Sequence, residues 1–302
     1  MKKQILALSL LAGSLIFSCT EKIDTTTDEL KSSPAVIAAN EVSVDNSLES
    51  IDYEADLYSF GIETISEYNL GLKNGDSNMN WYQRMFQNMM GFKNRYKNGV
   101  FPNLTFTATN GTYPITLKID YGTGIELANG HVLKGSISLT ITAAPFSPNS
   151  ERILKFEEFS CNGNTITGTV TKTRTTDTET KTFKELSQLR IALSNGTVIE
   201  RNEEKVKTWE AGVTTQFDPS DDIIKITGVV NVADNKGNKY TRRIVEPLIR
   251  KGTCKYIVQG IIELTANGIK FLTIDYGTGE CDNIATKTNA AGETEEIKLG
   301  ND

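Results

Sequence analysis

Histidine is almost missing from this chain: His131 is the single one among 302 residues. Zinc hydrolases recruit several imidazoles and a Ser-His-Asp relay needs one beside its nucleophile, so both chemistries are poorly served. His131 follows Asn129-Gly130 and is expected on an exposed hairpin. Basic charge is also in short supply, with 32 Lys and Arg against 38 Asp and Glu and a formal net charge of -6. Binding a phosphate backbone needs a concentrated basic surface, so nucleic acid is excluded as a partner. Arg242-Arg243 and Arg250-Lys251 are short basic spots between strand-like runs and are expected on a solvated face. Long apolar runs are absent after the first residues, so no later segment is expected to span a bilayer.

What stands at the start is an address. Lys2 and Lys3 precede the apolar run Ile5 to Phe17, closed by Ser18-Cys19. A positive end, a short apolar core and a small residue before the cut describe a secretory signal over residues 1–18. The Cys directly after the small residue resembles the lipobox of bacterial lipoproteins, in which signal peptidase II cuts before a lipidated cysteine. That resemblance implies a membrane lipid joined through Cys19 and attachment to the bacterial outer membrane, facing the periplasm or the surface. Cysteine use elsewhere fits an oxidising compartment. Cys254 opens one predicted hairpin and Cys281 lies just past its end, so antiparallel strands can bring the two together as a disulfide. Cys161 is left over and reads as a buried thiol.

Residues 19–50 are polar, rich in Thr, Ser, Asp and Glu, and are expected to form a flexible tether. Residues 51–98 change texture. Leu57, Phe60, Ile65 and Tyr68 approximate helical spacing, and Trp81, Met85, Met89 and Phe92 make a second stripe. A helical segment packed on a sheet is expected there. Residues 99–290 read as strand and turn, with a frayed acidic tail over 291–302.

Within the β region one stretch occurs twice. Ile119-Asp120-Tyr121-Gly122-Thr123-Gly124 returns as Ile274-Asp275-Tyr276-Gly277-Thr278-Gly279, each time closing a hairpin. This is the mark of an internal duplication. Predicted strands cover 104–109, 113–120, 132–142, 152–160, 164–173, 188–194, 197–202, 223–233, 239–250, 254–265 and 269–276. Asn-Gly turns separate several of them, and threonine, suited to the wet face of a sheet, is abundant. Ile166-Thr167-Gly168 and Ile226-Thr227-Gly228 form a second, shorter echo. Short turns without crossover helices point to a mainly β fold, an antiparallel meander that is either sandwich-like or one elongated sheet.

These features together resemble a group of uncharacterised Bacteroidetes lipoproteins. The likeness rests on the lipoprotein signal, the Asp-Tyr-Gly-Thr-Gly turns, Phe159 to Gly168, and Asp275 to Asn283. It covers most of the chain from about residue 100 and implies no reaction and no catalytic residue. From the residues themselves, Asp120 and Asp275 are expected to cap amides of their own turns, with Gly122, Gly124, Gly277 and Gly279 giving backbone freedom. Calcium binding at these loops is the rival reading, but regular oxygen-ligand spacing is missing. No helix pattern follows the glycines, so they make no dinucleotide fingerprint. No metal and no cofactor are expected. Asp218 to Asp222 reads as an exposed turn, and Glu157 and Glu158 are expected on opposite faces of one strand. The expected function is a non-enzymatic binding or structural role in the cell envelope, with a glycan or an envelope protein as partner and Trp209 as the residue for ligand contact. The alternative is a hydrolase of glycans or envelope polymers working through paired carboxylates.

Overall fold

The computed structural model describes residues 30–67, 95–109, 112–143, 147, 149–175, 181–215 and 219–299. One long helix, α1 (Pro34–Glu67), precedes all the strands. Then come β1 (Asn103–Thr109), β2 (Thr112–Asp120), β3 (Ile125–Glu126), β4 (Val132–Ile141), β5 (Glu151–Cys161), β6 (Asn164–Arg174) and β7 (Lys181–Ala192). The second half holds β8 (Val198–Ala211), β9 (Ile223–Asp234), β10 (Lys239–Lys251), β11 (Ile257–Ala266), β12 (Ile269–Thr278), β13 (Ile284–Asn289) and β14 (Thr294–Lys298).

All of them belong to one 14-stranded antiparallel sheet. Strands follow one another in chain order from β1 to β14, except that the short β3 pairs only with the start of β4. The sheet is an open meander, the elongated alternative of the two expected from the sequence. The duplicated hairpins are β1–β2 and β11–β12, and both end in the repeated hexapeptide. β6 shows why threonine is so frequent, for Thr165, Thr167, Thr169, Thr171 and Thr173 all point away from the core.

The inner face bends round α1. Asn238, at the start of β10, accepts the amides of Lys31 and Ser32 at 2.6 and 2.9 Å. Asn164 of β6 donates to Ser43 and Ser47, and Tyr121 and Tyr276 from opposite ends of the sheet both reach helix carboxylates. The Ile-Thr-Gly echo marks two of the bends. Gly168 in β6 has φ +119° and Gly228 in β9 has φ +149°. A Cβ would stand 2.0 Å from the Gln188 carbonyl oxygen at the first and 2.3 Å from that of Glu204 at the second. Only glycine fits where neighbouring strands approach this closely.

Several boundaries differ from the sequence expectation: β7 and β8 run well beyond the expected 188–194 and 197–202, β13 is an added strand, and both ends of the domain shift. Residues 34–50, expected within the flexible tether, form the first half of α1. Pro34 occupies the first helical position behind Ser33, whose hydroxyl accepts the Val36 amide, a favourable helix start. Composition suggested a tether because Ser, Asp, Asn and Glu are frequent here, and the buried Ile37, Ala38, Val42 and Val44 stand among them. Within the expected tail, Thr294–Lys298 adds β14 to the edge, and Leu299 is buried. The stripe from Trp81 to Phe92 lies outside the described residues, as do residues 1–29 with Cys19.

Candidate functional site

Charged side chains are set among the apolar ones between helix and sheet. On α1, Glu41, Asp45, Glu49, Asp52 and Asp56 recur at intervals of three or four residues and therefore share one face. The sheet answers with cations on inward positions. Arg201 of β8 meets Glu41 at 3.1 Å and Asp45 at 3.6 Å, and Arg242 of β10 meets Asp45 at 2.6 Å. Lys172 of β6 and Lys207 of β8 both clasp Asp52, and Lys172 also reaches Asp56 at 3.1 Å. Arg250 stands 3.8 Å from Glu49. On another side of the helix, Glu54 pairs with Arg95 and accepts the hydroxyls of Tyr96 and Tyr121.

Electrostatics decides the ionisation of this interior. Burial alone would raise the pKa of Asp52, but Lys172, Lys207 and Arg250 overcome it and hold the carboxyl well below its ordinary range. Burial disfavours the charge on Arg201, yet Glu41, Glu203 and Asp45 more than restore it. Tyr121 and Tyr276 are pushed up by burial and then by the carboxylates they serve, so both remain hydroxyl donors.

The repeated motifs now have a geometry. Asp120 accepts the Gly122 amide and Asp275 the Gly277 amide, each at 2.8 Å. Gly122 and Gly277 have φ of +54° and +88°, and Gly124 and Gly279 are also positive. Each aspartate caps its own turn, and the tyrosine after it turns inward, Tyr121 to Glu54 and Tyr276 to Asp45 at 3.1 Å. Among the described residues no three His, Cys, Asp or Glu gather as metal ligands. Cys254 and Cys281 are joined, with Cα atoms 5.5 Å apart, and Cys161 is a buried thiol.

Several single-residue expectations need correction. Trp209 is only 3% exposed. It packs edge-on against Phe183 with Lys181 over its ring at 4.1 Å, because the alternation of β8 turns it inward. It is a core residue and offers no surface to a ligand. His131 is buried, with Nδ1 3.6 Å from the Cys161 sulfur, and burial together with Arg95 and Lys255 lowers its pKa to about 4. Arg242 and Arg250 are interior cations, and only Arg243 is solvated as expected. Glu157 and Glu158 are both exposed, since Glu158 adopts φ +47° at a bulge that breaks the alternation.

Among the described residues a cleft of about 610 Å³ opens onto this interior. Its floor is Tyr53 of α1, and its walls bring Arg95, His131, Asp222, Arg250 and Lys255 together from far-separated parts of the chain. The guanidinium carbons of Arg95 and Arg250 lie 4.6 and 5.3 Å from the centre of the Tyr53 ring. The disulfide lies at its rim, since Cys254 lines the cleft. Asp222, expected in an exposed turn, stands half-buried here, and burial pushes its carboxyl up to about 6 against the pull of Lys181 and Arg250. None of the motifs singled out in the sequence contains Tyr53 or Arg95. The available signal was the acidic periodicity from Glu41 to Asp56, which locates the helix but not its opening. No family model, no curated protein and no solved structure matches the chain.

Proposed function

We propose that this chain is an envelope lipoprotein, held at the outer membrane by acyl chains on Cys19, whose β domain binds a ligand without transforming it. The observation that carries the binding role is the cleft beside Tyr53, concave, of ligand size and lined by converging polar groups. The leader over residues 1–18 and Ser18-Cys19 support the anchor. The partner is a glycan, or an envelope protein presenting similar polar groups. The test is a glycan array probed with the Cys19→Ser chain, which lacks the lipid and remains in solution. Selective capture of a glycan set is expected; a blank array, together with no co-purifying envelope protein, would remove the reading.

One observation favours the hydrolase alternative. Asp222, with its carboxyl pushed up to about 6, lines the same cleft as Glu49. Two carboxyls lining one cleft are the minimum that acid/base hydrolysis needs. If captured glycans are shortened on incubation and Asp222→Asn stops it, the protein is an enzyme; if they are recovered intact, it is a binder.

A further inference from the structure

We infer that the cleft beside Tyr53 takes an acidic or phosphorylated sugar, its oxyanion seated among Arg95, Arg250 and Lys255. This rests on the binding role proposed above and specifies its chemistry. Three observations carry it.

The first is the state of the two arginines. Arg95 gives Nε to Glu54 and Nη2 to Ser50, which leaves Nη1 without a partner among the described residues. Arg250 gives Nη1 to the Glu49 backbone oxygen and its ion pair, and Nε and Nη2 are likewise unclaimed. A guanidinium has five N–H donors in a fixed fork, and a carboxylate or phosphate matches that fork better than a neutral hydroxyl does. Both guanidiniums border the Tyr53 ring and line the same cleft.

The second is charge. Arg95, Arg250, Lys251 and Lys255 line the cleft against Glu49 and Asp222. Glu54 and Glu49 already engage the two arginines, and Lys251 donates to the Gly279 carbonyl oxygen. Lys255 is exposed, has no carboxylate partner among the described residues, and stays near the mouth with Nζ 5.1 Å from the Tyr256 ring. The cleft thus offers a positive lip above arginine donors, inside a chain whose formal net charge is -6. This local reversal of sign selects anions from solution.

The third is the neutral lining. Asn46, Asn129, Ser220 and His131 supply amide, hydroxyl and uncharged imidazole groups. Such groups recognise sugar hydroxyls, and the volume suits a small saccharide rather than a bare ion. The ligand can arrive free or as the headgroup of an envelope glycolipid, because the recognised chemistry is the same.

The experiment is titration calorimetry on the Cys19→Ser chain with glucuronic acid, glucose 1-phosphate, glucose and inorganic phosphate. Flotation with phosphatidylcholine vesicles, with and without lipid A, runs in parallel. The two acidic sugars are expected to bind at least ~10-fold more tightly than glucose or phosphate alone, a difference of about 1.4 kcal/mol. Lys255→Glu should weaken them about 10-fold at unchanged thermal stability. Capture by lipid A vesicles assigns the source to a membrane headgroup, and binding of free sugars without vesicle capture assigns it to soluble saccharide. Equal binding of glucose, equal binding of inorganic phosphate, or indifference to Lys255→Glu would overturn the inference and leave the broader binding role standing. If nothing in the series or on the array binds, both fail.

Discussion

Replacing Arg201 by Met is the sharpest probe of how helix and sheet are held together. Arg201 is fully buried and touches Glu41 at 3.1 Å, Asp45 at 3.6 Å and Glu203 at 2.6 Å. Removing one member of a buried ion pair costs about 3–5 kcal/mol, because the remaining charge has lost its compensation. Here each acid retains another partner. Glu41 keeps Arg242 and Tyr240, Asp45 keeps Arg242 and Tyr276, and Glu203 keeps Lys205 at 2.8 Å. The expected loss therefore lies at the lower end, about 3 kcal/mol. Glu41→Gln should recover part of it when added to Arg201→Met, since one uncompensated carboxylate is then gone. Urea unfolding of the parent, the two single variants and the double variant completes the cycle. A loss below ~1 kcal/mol for Arg201→Met, or strictly additive variants, would refute the claim that this pair is coupled.

Other outcomes follow from the same structure. Asp120→Ala and Asp275→Ala should each cost about 0.5–2 kcal/mol, the range for a lost cap, and equally in calcium and in chelator. A stabilisation of the parent by calcium that vanishes in either variant would make these turns metal sites. Replacing Cys254 and Cys281 by Ser together should lower stability by roughly 2–4 kcal/mol, read from denaturant melts, and unchanged melts would deny the bridge a stabilising role. Two groups at the cleft act oppositely on acid stability. His131 resists protonation when folded, so its contribution is present above about 6.5 and is lost as pH falls toward 4. Asp222 holds its proton up to about 6 when folded, so its contribution grows as pH falls through 6 and is absent above it. His131→Asn should remove the first slope and Asp222→Asn the second, and melts between pH 4 and 7 that ignore both substitutions would disprove the assignment.

Much of the sheet was legible because its outer face obeys simple alternation and its turns carry Asn-Gly or the repeated Asp-Tyr-Gly. The disulfide was legible for the same reason, since pairing the repeat hairpin carries Cys254 toward Cys281. The interior was not. Hydrophobic periodicity finds a face only when that face is apolar, and β8 turns Arg201, Glu203, Lys205 and Lys207 inward. Those residues look solvated until the acids of α1 are placed against them. The same blind spot hid residues 34–50, whose carboxylates suggested a solvated tether, and made Trp209 look like a lone aromatic among surface charges. The cleft escaped because its residues come from α1, the turn before β4, the approach to β9 and the β10–β11 turn, with no shared motif.

The long separation between helix acids and sheet cations has a consequence in time. α1 is synthesised before any strand, yet Glu41 waits 160 positions for Arg201, and Asp45 waits 197 for Arg242 and 231 for Tyr276. Until those strands exist, the helix has neither cations for its acids nor a surface against which Ile37, Val44, Ile51, Leu57 and Ile62 can bury, and little reason to hold its shape. Closing such distant contacts is slow, because the entropy of a long loop must be met before any of the ion pairs returns energy. A nascent chain halted after β9 would hold Lys172, Arg201 and Lys207 but still lack Arg242, Arg250 and Tyr276. The fold therefore completes late, when β10 and β12 deliver the last partners. That order keeps the chain loose for as long as it is being made.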